Sequence, residues 1–239
     1  MTRESRSLQA VLFDLDGTLL DTAPDMVGAL NDLRAEQSLA PVDYAMARAH
    51  VSHGAFGLVD VAFGRLDAAE RQRLRDRFLE IYAARVATAT TLFEGMETVL
   101  NQVEADGLAW GVVTNKPGNL TEPLLAALGL LSRCACVVSG DTVAQRKPHP
   151  EPLLHAMRQI DAGSGSSNAA QLMYVGDADR DIRAGKAAGM ITVAATYGYI
   201  PADDDPLQWH ADHIIEHPPQ LLDILRDIAR RIGPHSKQR

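Results

Sequence analysis

Cysteine is almost missing from the 239 residues: only Cys134 and Cys136 occur, one residue apart. A disulfide framework tying distant segments together is excluded, and both thiols read as small buried apolar residues in a reducing compartment. Long hydrophobic runs are also lacking. The longest candidate, Leu124 to Leu131, falls well short of the ~18 uninterrupted apolar residues of a membrane-spanning helix. After the opening MTRESRS, Asp14 interrupts the apolar stretch too early for a signal peptide, so a cytoplasmic setting without a membrane partner is expected. Positive charge is in deficit, with 23 Lys and Arg against 31 Asp and Glu and a net charge of −8. That average field repels polyanions and argues against nonspecific nucleic-acid binding. What is present is a core-forming composition, 46% hydrophobic with 18 Gly and 12 Pro, on a chain long for one compact unit and short for two full ones. One main domain carrying a large insertion fits best.

Gln9–Phe13 (QAVLF) is a short apolar run that ends abruptly in Asp14, and it reads as a buried parallel strand. Further strands are expected at Ala109–Thr114, Ala135–Ser139, Leu172–Val175, Ile191–Ala194 and, more weakly, Asp212–Ile215. Helical patterns lie between them. Met96, Val99, Leu100 and Val103 precede Gly107; Leu120, Leu124, Leu125 and Leu128 precede Gly129; others run from Pro150 to Ile160 and from Asp179 to Ala188 before Gly189. Strands alternating with helices predict an α/β fold, a parallel sheet covered on both faces.

Residues from Thr22 to Phe93 break the rhythm, with several helical patterns and no convincing strand. Helices are expected at Asp25–Glu36, Tyr44–Ala49 and Phe56–Phe63, and the clearest begins at Asp67, with Glu70 completing a capping box and Leu74, Phe78, Ile81 and Tyr82 forming one stripe. Asp161–Gln171 (DAGSGSSNAAQ) has a flexible-linker composition. It nearly spells a dinucleotide-binding glycine motif, but it precedes a strand instead of leaving one, which is the wrong context.

Chemistry-bearing residues cluster where strands end, the side of an open α/β sheet that carries active sites. Asp14-Leu-Asp16-Gly-Thr18 places two carboxylates two residues apart, on one side if the strand continues. Thr114-Asn115-Lys116 ends the next core strand and offers a hydroxyl and an amide. Arg146-Lys147-Pro148-His149-Pro150 is a loop stiffened by two prolines. Gly176-Asp177-Ala-Asp179-Arg-Asp181 adds an acidic cluster. Asp14, Asp16, Asp177 and Asp181 packed together could not all stay ionised without a cation, and carboxylates with water are the ligand set of a hard ion such as Mg2+. With Mg2+ and Lys147 in place, Thr114 and backbone N–H groups near Asp16 and Asn115 complete a cradle for a phosphate dianion.

This order of motifs, spanning Val11 to about Ala195, resembles the haloacid dehalogenase superfamily of aspartate-nucleophile phosphohydrolases. Ala109–Pro117 and Thr196–Pro201 are similar to its phosphoglycolate phosphatase-like branch and to bacterial N-acetylmuramic acid 6-phosphate phosphatases. The resemblance implies a Rossmann-like core, residues 1–21 and 94–239, with an inserted α-helical cap, residues 22–93, hinged at Asp21–Pro24 and returning near Thr91–Gly95. It implies that Asp14 attacks phosphorus, that Asp16 serves as general acid and then base, and that Lys147 assists. Mg2+ would be bound by Asp14, Asp16 (through its carbonyl) and Asp177, with Thr18 and Asp181 in support.

The expected substrate is a small phosphorylated metabolite, met by a Gly-rich interhelical loop, Val51–Gly57, through Ser52, His53 and Gly54. No basic residue follows that loop until Arg65, which counts against a strongly anionic substrate tail. A monomer or homodimer fits. Rival readings are a sugar phosphomutase or a dehalogenase of the same superfamily and, outside catalysis, a phospho-acceptor signalling domain. That last reading lacks a place for Asp16 and the insertion. His210, His213 and His217 have ligand-like spacing, but a strand there would splay them over opposite faces.

Overall fold

The computed structural model describes residues 8–164 and 168–232; the opening MTRESRS and the centre of the Asp161–Gln171 linker lie outside them. Six parallel strands form one sheet: β1 (Ala10–Phe13), β4 (Ala109–Val113), β5 (Cys136–Val138), β6 (Leu172–Gly176), β7 (Ile191–Ala195) and β8 (His213–Ile215). Their order is β5-β4-β1-β6-β7-β8, so β1 is flanked by β4 and β6, with Phe13 level with Val112 on one side and Val175 on the other. Three of the motifs picked out in the sequence therefore leave adjacent strands at the same edge.

Alternation explains why β1 is apolar throughout. Val11 and Phe13 pack on one face against Leu100 of α5 (Met96–Ala105), Leu125 of α6 (Gly118–Ala127) and Leu221 of α9 (Gln220–Ile232). Ala10 and Leu12 pack on the other against Leu153 of α7 (Glu151–Ser164) and Ala184 of α8 (Asp179–Ala188). Each large side chain buried in this way contributes about 1.5–3 kcal/mol. α7 runs four residues beyond Ile160 and takes up the first part of the expected linker. Cys136 is buried, Cys134 half-buried and both are free thiols; burial, with some help from Cys134, pushes the Cys136 thiol up to about 12, in keeping with a packing role.

The intervening residues form α1 (Ala23–Glu36), α2 (Tyr44–Arg48), α3 (Gly54–Phe63) and α4 (Ala68–Ala83). Leu30, Leu33, Leu58, Leu74 and Phe78 make an apolar cluster of their own, which Leu120 and Tyr199 join from the sheet side. Three local expectations need correction. The segment is not free of strand: Thr91–Leu92 (β3) pairs antiparallel with Leu20–Asp21 (β2), a two-residue ribbon where the chain leaves and re-enters the sheet layer. The capping box before α4 is half formed, because Asp67 accepts from Glu70 N at 2.9 Å while the Glu70 carboxylate turns to Arg73. Val51–Gly57 is not an open loop; a 3-10 turn at Val51–His53 runs directly into α3 through Gly54, whose φ of +69° glycine adopts readily.

Candidate active site

β1 stops at Phe13, and Asp14 N still donates to Val175 O of β6 at 2.9 Å. The Asp14 side chain thus emerges at the centre of the sheet edge. Asp16 lies beyond the strand, and the two carboxylates occupy different surroundings.

Asp14 Oδ1 accepts from Leu15 N at 2.7 Å and lies 2.9 Å from Lys147 Nζ. The same ammonium is 2.7 Å from Asp181 Oδ1 and donates to Tyr174 Oη at 2.7 Å, while Tyr174 Oη donates to Val113 O. Lys147 and Asp181 side chains have no exposed surface at all. Burial pushes the Asp14 carboxyl up, but Lys147 and Arg180 outweigh it and hold Asp14 below the usual carboxylate range. Burial moves Asp181 the other way, upward, aided by repulsion from Asp14. The Asn115 amide brackets the Lys147 backbone, accepting from its N–H and donating to its carbonyl, both at 3.1 Å. Its side chain positions the lysine loop, a job the sequence did not suggest. Thr114 is buried beside the same loop, and its hydroxyl accepts from Lys116 N.

Asp177 faces Asp14 from the end of β6. Burial, then Asp14 and Asp181, push its carboxyl up to about 7, although the Tyr199 N–H and the Ser52 hydroxyl, both at Oδ2, pull the other way. Oδ1 is buried without a hydrogen-bond partner among the described residues. Gly17 (φ +87°) and Gly198 both press against Asp177, where any Cβ would overlap its side chain. Among the described residues, Asp14, Asp177 and Asp181 are the His, Cys, Asp or Glu residues whose ligand atoms gather within 4.8 Å of one another; His210, His213 and His217 form no such group.

Asp16 accepts from Thr22 Oγ1 at 2.7 Å and from Lys116 Nζ at 2.9 and 3.2 Å. Lys116 is buried, 4.5 Å from the centre of the Tyr82 ring of α4. Burial lowers its pKa, but Asp16 and Tyr82 more than offset that and hold it above the usual lysine value. Thr18 is buried, and its carbonyl accepts from Tyr197 Oη. Tyr199 is a second link the sequence did not reveal. Its hydroxyl donates to Asp21 and accepts from Ala23 N, its N–H holds Asp177, and Arg48 of α2 stacks on its ring at 4.8 Å.

These residues open on a cavity of about 290 Å3 between the sheet edge and the helical segment. Asp14 and Asp16 border it, as do Thr114, Asn115, Ser52, His53 and Gly54. Ser52, expected at the substrate, donates to Asp177 Oδ2 at 2.7 Å, while His53 is exposed at the cavity wall. The expected shortage of positive charge is also corrected. Arg75, Arg146, Arg180 and Lys116 all line the cavity, brought from other elements. Three of them stand inside or beside the motifs, in the unspecified positions between the residues that drew attention.

A family model for haloacid dehalogenase-like hydrolases matches residues 11–195. The chain belongs to this family. Its match covers the edge of β1, the lysine loop and the Asp177–Asp181 cluster together with the helical segment. Among similar hydrolases, a phosphoglycolate phosphatase of Xanthomonas campestris pv. campestris is 49% identical over 213 residues, 89% of this chain and 94% of that one. An N-acetylmuramic acid 6-phosphate phosphatase of Pseudomonas aeruginosa is 43% identical over 219 residues, 91% of this chain and 95% of the other. In three dimensions, a predicted phosphoglycolate phosphatase from Haemophilus somnus superposes with a TM-score of 0.78 at 26% identity, covering 93% of this chain and 99% of that structure. These matches agree with the α/β, parallel-sheet hydrolase fold.

Proposed function

We propose that the protein is a Mg2+-dependent phosphomonoesterase that works through an aspartyl-phosphate, residues 22–93 forming a cap over a core of residues 1–21 and 94–239. The observation that carries this is the pair of carboxylates on one cavity in opposite settings, Asp14 tied to a fully buried lysine and Asp16 held by Thr22 and Lys116. The relatives named above act on phosphate monoesters, and a small phosphorylated metabolite, cytoplasmic, is the substrate class proposed for this chain.

Both contacts to Asp14 fall on Oδ1, not on Oδ2. A carboxylate oxygen of Asp14 attacks phosphorus as the bond from phosphorus to the alcohol oxygen breaks, and the departing alkoxide takes a proton from Asp16. Water then attacks the phosphorus of the acyl phosphate, passes its proton to Asp16 and releases inorganic phosphate with Asp14 restored. Lys147 keeps Asp14 ionised and offers positive charge to the phosphoryl oxygens, assisted by Thr114 and nearby backbone N–H groups. Lys116 and Thr22 aim Asp16 at the leaving oxygen.

The three gathered carboxylates and the unpartnered Asp177 Oδ1 suit a hard divalent cation. Asp14, Asp177 and the Asp16 carbonyl would hold it, with Asp181 and Thr18 in support. Mg2+ there supplies charge neutralisation for the phosphate oxygens and for the buried carboxylates.

The test is phosphate release from 2-phosphoglycolate, sugar 6-phosphates, nucleoside monophosphates and p-nitrophenyl phosphate, with and without Mg2+. Mg2+-dependent turnover is expected, and Asp14→Asn should lower it by about 10^4-fold or more while leaving the fold intact. No turnover of any ester, or wild-type turnover by Asp14→Asn, overturns the reading.

A further inference from the structure

α4 lays a graded strip along the cavity. Tyr82, Leu79 and Arg75 all line it, at spacings of three and four residues that put them on one helix face. Tyr82 is buried at the end of the strip nearest the proposed acid/base, its ring against Lys116, which holds Asp16. Leu79 and Arg75 are progressively farther from that end and half-buried. With a rise of 1.5 Å per residue, the seven steps from Tyr82 to Arg75 cover about 10 Å.

Arg75 is a held guanidinium with a donor to spare. Nη1 binds Asp76 at 2.7 Å, and Asp76 is itself fixed by Gln72. Its charge lies 5.4 Å from the centre of the Phe56 ring, and Nε is buried without a hydrogen-bond partner among the described residues. A buried donor left unpaired is costly, and a small turn of the guanidinium toward the cavity it borders would let a ligand oxygen pair with it. The neighbouring Arg71 is already occupied by a two-pronged pair with Asp60. Arg146 and Arg180, the other cavity arginines, come from the lysine loop and the start of α8, beside the phosphate end. Arg75 is the cation supplied from α4, across the cavity.

We infer that α4 measures the leaving group: Tyr82 and Leu79 receive a ring-sized alcohol, and Arg75, backed by Phe56, binds a carboxylate at its far end. The inference rests on the phosphomonoesterase reading and narrows its substrate to phosphate esters of ring-sized hydroxy acids. A two-carbon acid phosphate holds its carboxyl carbon only about 4 Å from phosphorus by ordinary bond lengths and does not span the strip. A charged hydrogen bond from Arg75 would favour the longer acid by about 10- to 100-fold.

The experiment compares kcat/KM for N-acetylmuramic acid 6-phosphate, N-acetylglucosamine 6-phosphate, 2-phosphoglycolate and p-nitrophenyl phosphate. The first two share a ring and differ in the lactyl ether that carries the carboxylate. Wild type should prefer the carboxylated sugar by at least about tenfold. Arg75→Leu should bring that ratio close to one, mainly through KM, since the contact lies far from the reacting phosphorus. Arg75→Lys should recover part of it, and Arg73→Leu, on the exposed side of α4, should keep the wild-type ratio. A wild-type ratio near one, a ratio unchanged in both Arg75 variants, or 2-phosphoglycolate as the best substrate overturns the inference while p-nitrophenyl phosphate turnover leaves the phosphatase reading standing. Failure to hydrolyse any of the four removes the inference, and inactivity on the nucleoside monophosphates and other sugar 6-phosphates as well removes the phosphatase reading with it.

Discussion

At the sheet edge, Lys147 joins Asp14 and Asp181 at 2.9 and 2.7 Å with its side chain wholly out of solvent. Across the cavity the helical segment carries ion pairs just as short, Arg71–Asp60 and Arg77–Glu36 at 2.6 Å and Arg73–Glu70 at 2.7 Å, on surfaces open to water. Equal distances conceal unequal consequences. In water the pairs are screened and each side chain has hydration to fall back on; in the buried cluster the neutral partners, such as Tyr174 Oη for the lysine and Leu15 N for Asp14, do not replace the opposite charge. The buried set holds the charges that the proposed reaction uses, whereas the exposed set dresses a helical surface. Between these extremes stands Arg75, half-buried and only partly paired, the condition on which the carboxylate inference rests.

The sharpest way to break this comparison is to remove the cation from each side. Lys147→Met leaves Asp14 and Asp181 facing one another with only Arg180 to offset them, and the metal-free protein should lose about 3–5 kcal/mol of stability near pH 8. The loss should shrink toward pH 5 as the carboxyls take up protons. Arg77→Ala, on the exposed surface, should leave the urea midpoint unchanged within error. Equal effects in urea titrations would show that burial does not separate the two classes.

How much of this could be read from residues alone divides along the same line. The strands were legible because apolar runs such as AVLF stop at a charged residue, and the helices because their apolar residues recur at helical spacing and end at glycines such as Gly107 and Gly129. Asp14, Asp16, Lys147, Asp177 and Asp181 stood out because they follow strand ends, and the structure gathers Asp14, Lys147, Asp177 and Asp181 into one buried cluster, with Asp16 on the adjoining cavity. Lys116, Arg180 and Arg146 sit within the same motifs, but their meaning depends on which carboxylate or cavity wall each reaches. Tyr199 and Arg75 carry no local signal: Tyr199 meets Asp21 from 178 positions away, and a lone arginine on a charged helix looks like any other surface arginine. The β2–β3 ribbon is only two residues per strand, too short for alternation to register.

A middling effect should come from the cation proposed for the carboxylates. Without metal, Asp177 keeps its proton up to about 7, whereas in the unfolded chain it releases it near 3.8. Its contribution to stability therefore falls as pH rises through that window. Mg2+ should reverse this, raising Tm by about 5 °C or more at saturation. The rise should be larger at pH 8 than at pH 5.5, where binding must first displace the proton. A thermal-shift series in Mg2+ at the two pH values checks this, and an equal or opposite pH trend would contradict the assignment of Asp177. Asp60, on the exposed surface, is held below its usual range by Arg71 and should contribute nothing to the trend.

The smallest effect concerns the seam between the two regions. Ser52 Oγ donates to Asp177 Oδ2 at 2.7 Å, and Arg48 Nη1 donates to Gly198 O at 3.3 Å. These polar contacts tie the helical segment to the buried cluster, so a change at Ser52 is felt on both sides. Ser52→Ala removes one donor while Tyr199 N still serves the same oxygen at 2.8 Å, which limits the loss to about 1 kcal/mol. If the serine holds the segment down, that loss appears as about fivefold faster amide exchange at Val51–Gly57 with little change within α4, whose Leu74 and Phe78 remain in their apolar cluster. If exchange is unaltered, the Arg48 contact and the Tyr199 stack bear the closure without Ser52. The buried cluster would then be coupled to the helical segment through Tyr199, which reaches Asp177, Asp21 and Arg48 at once.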